Sequence, residues 1–260
     1  MMTRNIALFP LVCVALCLSA IATEDADIQW ILDQYTVSEP VSLIAAEGLT
    51  GWTKIGGDKI TTPSKWTNQE GKLTLDYSDR TRDFQSGDIV SVKQYTHFVL
   101  DFVWNAAKGC NSGIKYRLKD FGETGAIHAN GWLGCEYQIL DDFHCGEGTD
   151  EDGRFSAAAL YFLFAPDKEK KKLNPHEEKN RGRIIVLNNH IEHWLNGKKV
   201  LQCEVGSEAW KQAIVKSKFS RDDGTGFGFG ENPTGFLFLQ DHGGTITFEK
   251  IVLREIGKKR

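Results

Sequence analysis

Apolar residues in this chain recur at every second position over short stretches broken by turn residues. Such alternation is the signature of half-buried strands, because successive side chains of a strand point to opposite faces. Lys72 to Tyr77 alternates after a Glu70-Gly71 turn. Phe98, Leu100, Phe102 and Trp104 form one face of a run from His97 to Trp104. In the run Ser112 to Leu118, strict alternation predicts Ile114, Tyr116 and Leu118 inward, with Gly113, Lys115 and Arg117 on the other side. Further runs predict strands over Gly134–Leu140, Leu160–Phe164, Arg183–Leu187, His190–Leu195, Lys199–Cys203, Gly235–Gln240 and Thr245–Arg254.

Asn188-Asn189 and Asn196-Gly197 separate strand-like runs by two residues that tolerate positive φ, which predicts two tight hairpins and a three-stranded meander from Arg183 to Cys203. Glu208 to Val215, with Trp210 and Ile214 one turn apart, reads as a short helix. Pro166 to Gly182 reads as a charge-rich loop. Many short strands with little helix predict a two-sheet antiparallel sandwich.

The N-terminus changes the compartment. Arg4 is followed by an apolar run from Ile6 to Ala22 that ends in Ala20-Ile21-Ala22, ahead of the acidic Glu24 and Asp25. This pattern predicts a cleaved secretory signal peptide over residues 1–22, and a secreted or periplasmic chain with no membrane span after cleavage. The net charge of −4 comes with no basic patch, which excludes nucleic acid as the expected partner. Cys110, Cys135, Cys145 and Cys203 remain after cleavage. An oxidising compartment permits disulfides among them, a Cys110–Cys135 bridge bracing the site being one option and free buried thiols the other.

Polar side chains in strand-like runs carry the candidate chemistry. Glu136-Tyr137-Gln138-Ile139-Leu140-Asp141 places Glu136 and Gln138 on one face and Tyr137 and Ile139 on the other. Asp141 has the wrong parity, and a β-bulge near Leu140 would return it to the face of Glu136. His193 shares a face with Ile191 and Leu195, and Trp194 lies opposite. Gln240-Asp241-His242-Gly243-Gly244 ends a very apolar strand. Asn111, Lys115 and Arg117 complete the candidates on the Ser112–Leu118 run. No spacing demands a metal, while the acidic groups allow a divalent cation.

The order of these blocks carries more than any one of them. Gly51-Trp52, Gly87-Asp88-Ile89, Asn111-Ser112-Gly113, Glu136-x-Gln138-x-x-Asp141, His193-Trp194-Leu195-Asn196-Gly197 and Gln240-Asp241-His242-Gly243 follow one another as they do in the 3-keto-disaccharide hydrolase domain family of bacterial secreted proteins, which this chain resembles from about Leu49 to Ile256. The resemblance divides the mature chain into a lead segment, residues 23–48, and one domain, residues 49–257. It implies an all-β, concanavalin-like jelly-roll sandwich of two curved antiparallel sheets, acting on an oligosaccharide or glycoside substrate.

It also implies cleavage of 3-keto-glycosides by C2 deprotonation, β-elimination and hydration. Gln138 stands where laminarinase-like hydrolases of this fold carry a carboxylate, which disfavours ordinary double displacement. The catalytic candidates are Glu136, His193, Asp141 and His242, with His193 as the base and Glu136 or His242 as the acid. The substrate-binding candidates are Asn111, Lys115, Arg117, Gln138, Trp194 and Gln240. A non-catalytic glycan-binding jelly-roll module is the alternative. Sugar identity and oligomeric state stay open.

Overall fold

A computed structural model describes residues 26–55, 58–60, 64–77, 87–118, 134–146, 151–220 and 229–259. The expected signal peptide lies outside the described residues. No described helix is long and apolar enough to cross a membrane.

Residues 26–38 and 256–259 belong to a small unit of their own. In it, α1 (Gln29–Leu32) precedes β1 (Tyr35–Val37), which pairs antiparallel with Ile256 to Lys258.

The main unit spans Glu39–Glu255 and holds two antiparallel sheets. The larger is built from β2 (Val41–Ser42), β4 (Trp66–Gln69), β5 (Lys72–Leu75), β7 (Phe98–Ala106), β10 (Lys179–Leu187), β11 (His190–Leu195), β12 (Lys198–Glu204) and β14 (Ile246–Lys258, of which the main unit takes the part up to Glu255). Its order is β12-β11-β10-β7-β14-β5-β4, with β2 also pairing β14. The smaller comprises β3 (Trp52–Lys54), β6 (Ile89–Tyr95), β8 (Asn111–Leu118), β9 (Cys135–Leu140) and β13 (Gly235–Leu239), in the order β3-β6-β13-β8-β9. This is the expected all-β jelly-roll sandwich.

The core lies between the inner faces. Phe98, Phe102, Trp104, Ile184 and Ile191 of the larger sheet meet Ile114, Tyr116, Tyr137, Ile139, Leu237 and Leu239 of the smaller in one buried cluster. The rings meet edge-on: Tyr137 lies at 5.0 Å and 89° to Phe102, and at 6.1 Å and 79° to Trp104. That is the arrangement aromatic quadrupoles favour. The meander forms as expected, with Asn188 at φ 55° and Asn196 at φ 46° in its two turns. The helix α2 covers Glu208–Val215, capped by Ser207, whose side chain accepts from the Trp210 N–H.

Three expectations fail locally. Leu160 and Phe164 form only isolated bridges, because this segment doubles back on itself and its amides pair with the β9 edge instead of a full ladder. The loop before β10 ends at Glu178, earlier than Gly182, because Lys179 already pairs with Asn105 of β7. The alternation of β8 breaks at its end. Phe236 faces Leu118 while Phe238 faces Lys115, so Tyr116 and Arg117 together oppose the single residue Leu237. Arg117 takes φ 57° at this bulge. The bulge reverses the phase: Leu118 joins Val90 and Phe238 on the outer face, and Arg117 turns inward.

Candidate functional site

The outer face of the smaller sheet is where polar side chains gather. Because Ile114, Tyr116, Tyr137, Ile139, Leu237 and Leu239 are committed to the core, their neighbours Gly113, Lys115, Glu136, Gln138 and Phe238 must point the other way. Register then brings them together: Lys115 pairs with Glu136, Gly113 with Gln138, and Phe238 with Lys115.

Glu136 is 7% exposed. Burial pushes its carboxyl above the usual range, opposed by the positive charges of Lys115, Lys218 and His242. Lys115 Nζ stands 3.8 Å from Glu136 Oε2 and 4.8 Å from the centre of the Phe238 ring. The carboxyl rests on Gly113, where a Cβ would lie 3.0 Å from Glu136 Cγ and Cδ and nearer still to Oε1. No other residue type leaves that space, so Gly113 decides where the carboxyl sits.

Around this acid are amides and a second acid. Gln138 Nε2 donates to Asn111 Oδ1 at 3.2 Å. Gln138 Oε1 and Gln240 Oε1 are buried acceptors with no donor among the described residues. Buried acceptors left unpaired are costly, and hydroxyl donors of a sugar would satisfy both. Asp88 is pushed up by burial, against a hydrogen bond from the Asp241 N–H and the charges of Lys115 and His242. The same cations therefore act on Asp88 and on Glu136. Asp241 is held by the Tyr77 hydroxyl, whose own pKa is raised by burial and by that bond. Beside the site, Lys218 Nζ lies 4.6 Å from the Tyr161 ring centre and 5.6 Å from those of Phe162 and Phe219. The Tyr161 N–H donates to the Glu136 carbonyl at 3.0 Å, which ties this aromatic shelf to β9.

Of the residues expected from sequence, the structure brings together Glu136, Lys115, Gln138, Asn111, Gln240 and His242. It does not bring His193, Trp194 or Arg117 to them. His193 is fully buried between the sheets. Its Nδ1–H donates to the Ala158 carbonyl at 3.1 Å, which leaves Nε2 to accept from the Tyr116 hydroxyl at 2.8 Å. Burial lowers its pKa to about 3, so it is neutral and enclosed. Trp194 lies on the outer face of the other sheet, where its Nε1–H donates to Glu192 at 2.7 Å. Glu192 also accepts from His190 and Lys199, both at 3.0 Å, an arrangement that holds the end of the meander. Arg117 donates to the Asn188 carbonyl at 2.8 Å, in the turn between β10 and β11.

Asp141 departs from expectation in a different way. The ladder of β8 with β9 carries no register shift, so there is no bulge near Leu140. The strand ends there, and Asp141 starts a turn in which its Oδ2 accepts from the Gly109 N–H and from His144 Nδ1, each at 2.8 Å. Burial alone would raise its pKa. The Gly109 N–H, His144 and the Phe143 N–H outweigh that and hold the carboxylate below the usual range.

Cys110, Cys135, Cys145 and Cys203 are all free, and burial pushes the Cys110 and Cys135 thiols up to about 12, leaving them unreactive. Sequence reasoning named Asp88 only within the Gly87-Asp88-Ile89 block, not as a site residue, and overlooked Lys218 and His176. Asp88 had a usable signal, since it shares parity with Val90 on the outer face of β6. Lys218 follows α2 in a stretch without pattern and had none.

Comparison with known proteins agrees with this architecture. Residues 39–254 match the family described as the 3-keto-alpha-glucoside-1,2-lyase-like domain, and the chain belongs to that family. It is 28% identical over 228 residues to a 3-keto-disaccharide hydrolase of Bacteroides thetaiotaomicron, covering 81% of this chain and 76% of that protein. It also resembles the crystal structure of a putative glycosyl hydrolase from Parabacteroides distasonis, with a TM-score of 0.67, 28% identity, and coverage of 83% of this chain and 93% of that one. A second putative glycosyl hydrolase from the same organism shares the fold, with a TM-score of 0.60, 24% identity, and coverage of 84% of this chain and 99% of that one.

Proposed function

We propose that this member of the 3-keto-alpha-glucoside-1,2-lyase-like family is an exported glycoside hydrolase that cleaves 3-keto-glycosides by elimination and rehydration, on the outer face of the smaller sheet. The observation that carries this reading is the buried carboxyl of Glu136, raised in pKa, seated on Gly113 and faced by the Lys115 ammonium. A 3-keto group acidifies the C2 hydrogen. A carboxylate made more basic by burial is suited to take that proton. The electron pair left at C2 moves onto O3 as an enolate, and a nearby ammonium stabilises it. The enolate then collapses: C3=O reforms, C1=C2 forms, and the C1–O bond breaks.

His242 supplies a proton to the departing oxygen in this scheme. Water then adds at C1 and a proton returns to C2, so the net change is hydrolysis. Asn111, Gln138 and Gln240 orient the sugar, the two free Gln acceptors taking hydroxyl hydrogen bonds. Asp88, acted on by the same positive charges, helps hold Lys115 and His242 near the sugar. His193 enters no step, because an enclosed imidazole whose ring nitrogens are both engaged has no path to C2.

The test is aglycone release from 3-keto-glucosides beside their unoxidised parents, run in deuterium oxide. Release from the keto form alone, with deuterium at C2 of the product, supports elimination. Release from the parent with no deuterium at C2 would overturn it. Binding without release from either form would reassign the chain as a glycan-binding module. N-terminal sequencing of the exported protein, expected to begin at Thr23, tests the signal peptide.

A further inference from the structure

We propose that Asp141, His144 and His176 form a binding site for one divalent transition-metal ion of the zinc class. The three side chains come from two separate segments: Asp141 and His144 from the turn after β9, and His176 from the segment before β10. One ligand atom of each lies within 4.8 Å of the others. His144 Nδ1 is 2.8 Å and His176 Nδ1 is 3.9 Å from the same carboxylate oxygen, Asp141 Oδ2. An ion held at about 2.0–2.2 Å from nitrogen and oxygen ligands bridges at most about 4.4 Å, which covers both distances to Asp141 Oδ2. A small rotation of the partly exposed histidine rings closes the remainder.

Two further observations point to a ligand. His176 Nδ1 is buried and has no hydrogen-bond partner among the described residues. An imidazole nitrogen removed from water and left unpaired is costly, and a metal ion in the space it shares with Asp141 removes that cost. In addition, the carboxylate is held from behind by the Gly109 N–H at 2.8 Å and the Phe143 N–H at 3.2 Å. Such outer hydrogen bonds orient a ligating carboxylate. With both backbone donors in place, the group keeps one fixed direction whether or not His144 moves.

The donor set decides the ion. Two imidazoles and one carboxylate suit Zn²⁺, Co²⁺ or Ni²⁺, whereas Ca²⁺ and Mg²⁺ prefer oxygen ligands throughout. Three protein ligands leave coordination positions for water, so the site is open rather than closed. It begins one residue beyond β9, the strand that carries Glu136 and Gln138.

The experiment is a titration of the chelator-stripped, full-length mature chain with Co²⁺, followed by visible absorption and calorimetry, with Zn²⁺ as competitor and Ca²⁺ as control. One Co²⁺ per chain is expected, displaced by Zn²⁺ and unaffected by Ca²⁺. H144A and H176A should each weaken binding by more than the roughly 10–100-fold that loss of an outer hydrogen-bond partner costs, while each stripped variant still melts cooperatively. Failure of the wild-type chain to bind Co²⁺ would overturn the proposal. So would equal affinity in the wild type and in the double variant H144A/H176A. Because the readout is metal binding, either result is independent of the catalytic reading.

Discussion

Gly113→Ala is the substitution that most sharply separates catalytic geometry from fold. A Cβ at this position would lie 3.0 Å from Glu136 Cγ and Cδ and closer still to Oε1, against 3.4 Å for the onset of ordinary contact. The backbone at Gly113 is extended, so alanine itself introduces no strain there. The far end of a glutamate is the softest thing in the clash, and it will move. The required shift is several tenths of an ångström at Cδ and approaches about 1 Å at the reacting oxygen. A misplacement of that order at a reacting group costs on the order of 100-fold in rate, while crowding a packed site typically costs about 1–3 kcal/mol. Part of that cost is offset by the lower chain entropy of unfolded alanine, worth about 0.4–1 kcal/mol. The assay is kcat on a 3-keto-glucoside beside the melting temperature of the same preparation. The expected result is kcat down about 100-fold with melting lowered by only a few degrees. Wild-type kcat in a folded Gly113→Ala protein would refute the placement of the reacting carboxyl over Gly113.

Other consequences follow from the same contacts. Glu136→Gln should lower kcat by about 10²–10⁴-fold, the usual range for a lost acid–base group, and should stabilise the protein at neutral pH. The folded carboxyl is raised above its unfolded value, so the folded state holds the extra proton and the wild type loses stability as pH rises through that window. Melting curves of wild type and E136Q should therefore converge near pH 4 and separate above it; a constant gap would contradict the assignment. His193→Ala should cost about 3–5 kcal/mol, from a cavity and the stranded Tyr116 hydroxyl and Ala158 carbonyl, yet leave kcat per folded molecule within about 3-fold; a collapse of kcat without loss of stability would restore His193 to the chemistry. Because the folded pKa of His193 is about 3, below its unfolded value, its contribution to stability is complete at neutral pH. It is lost as pH falls through roughly 6.5 toward the folded value. H193A should remove that acid sensitivity in a pH series of denaturant midpoints. Alkylation of the unreduced, denatured chain should modify all of Cys110, Cys135, Cys145 and Cys203; protection of any pair would reveal a disulfide.

The parity of β9 alone determined that Glu136 and Gln138 face away from the core, because Tyr137 and Ile139 have nowhere to go but inward. The hairpins at Asn188-Asn189 and Asn196-Gly197, the helix from Glu208, and the split of His193 from Trp194 were equally local consequences of period and turn chemistry. The order of polar blocks along the chain carried the family. Tertiary structure decided everything that depends on which strands become neighbours. The pairing of β8 with both β9 and β13 set Lys115 between Glu136 and Phe238. A bulge that no alternation reveals turned Arg117 inward. The closing of one sheet over the other enclosed His193 and lowered its pKa. The same packing brought His176 to Asp141 and His144 across a gap in sequence that no spacing rule spans. A strand pattern dictates which face a side chain takes. Which partner it meets there is set by long-range register and by burial, and both exist only once the two sheets have closed.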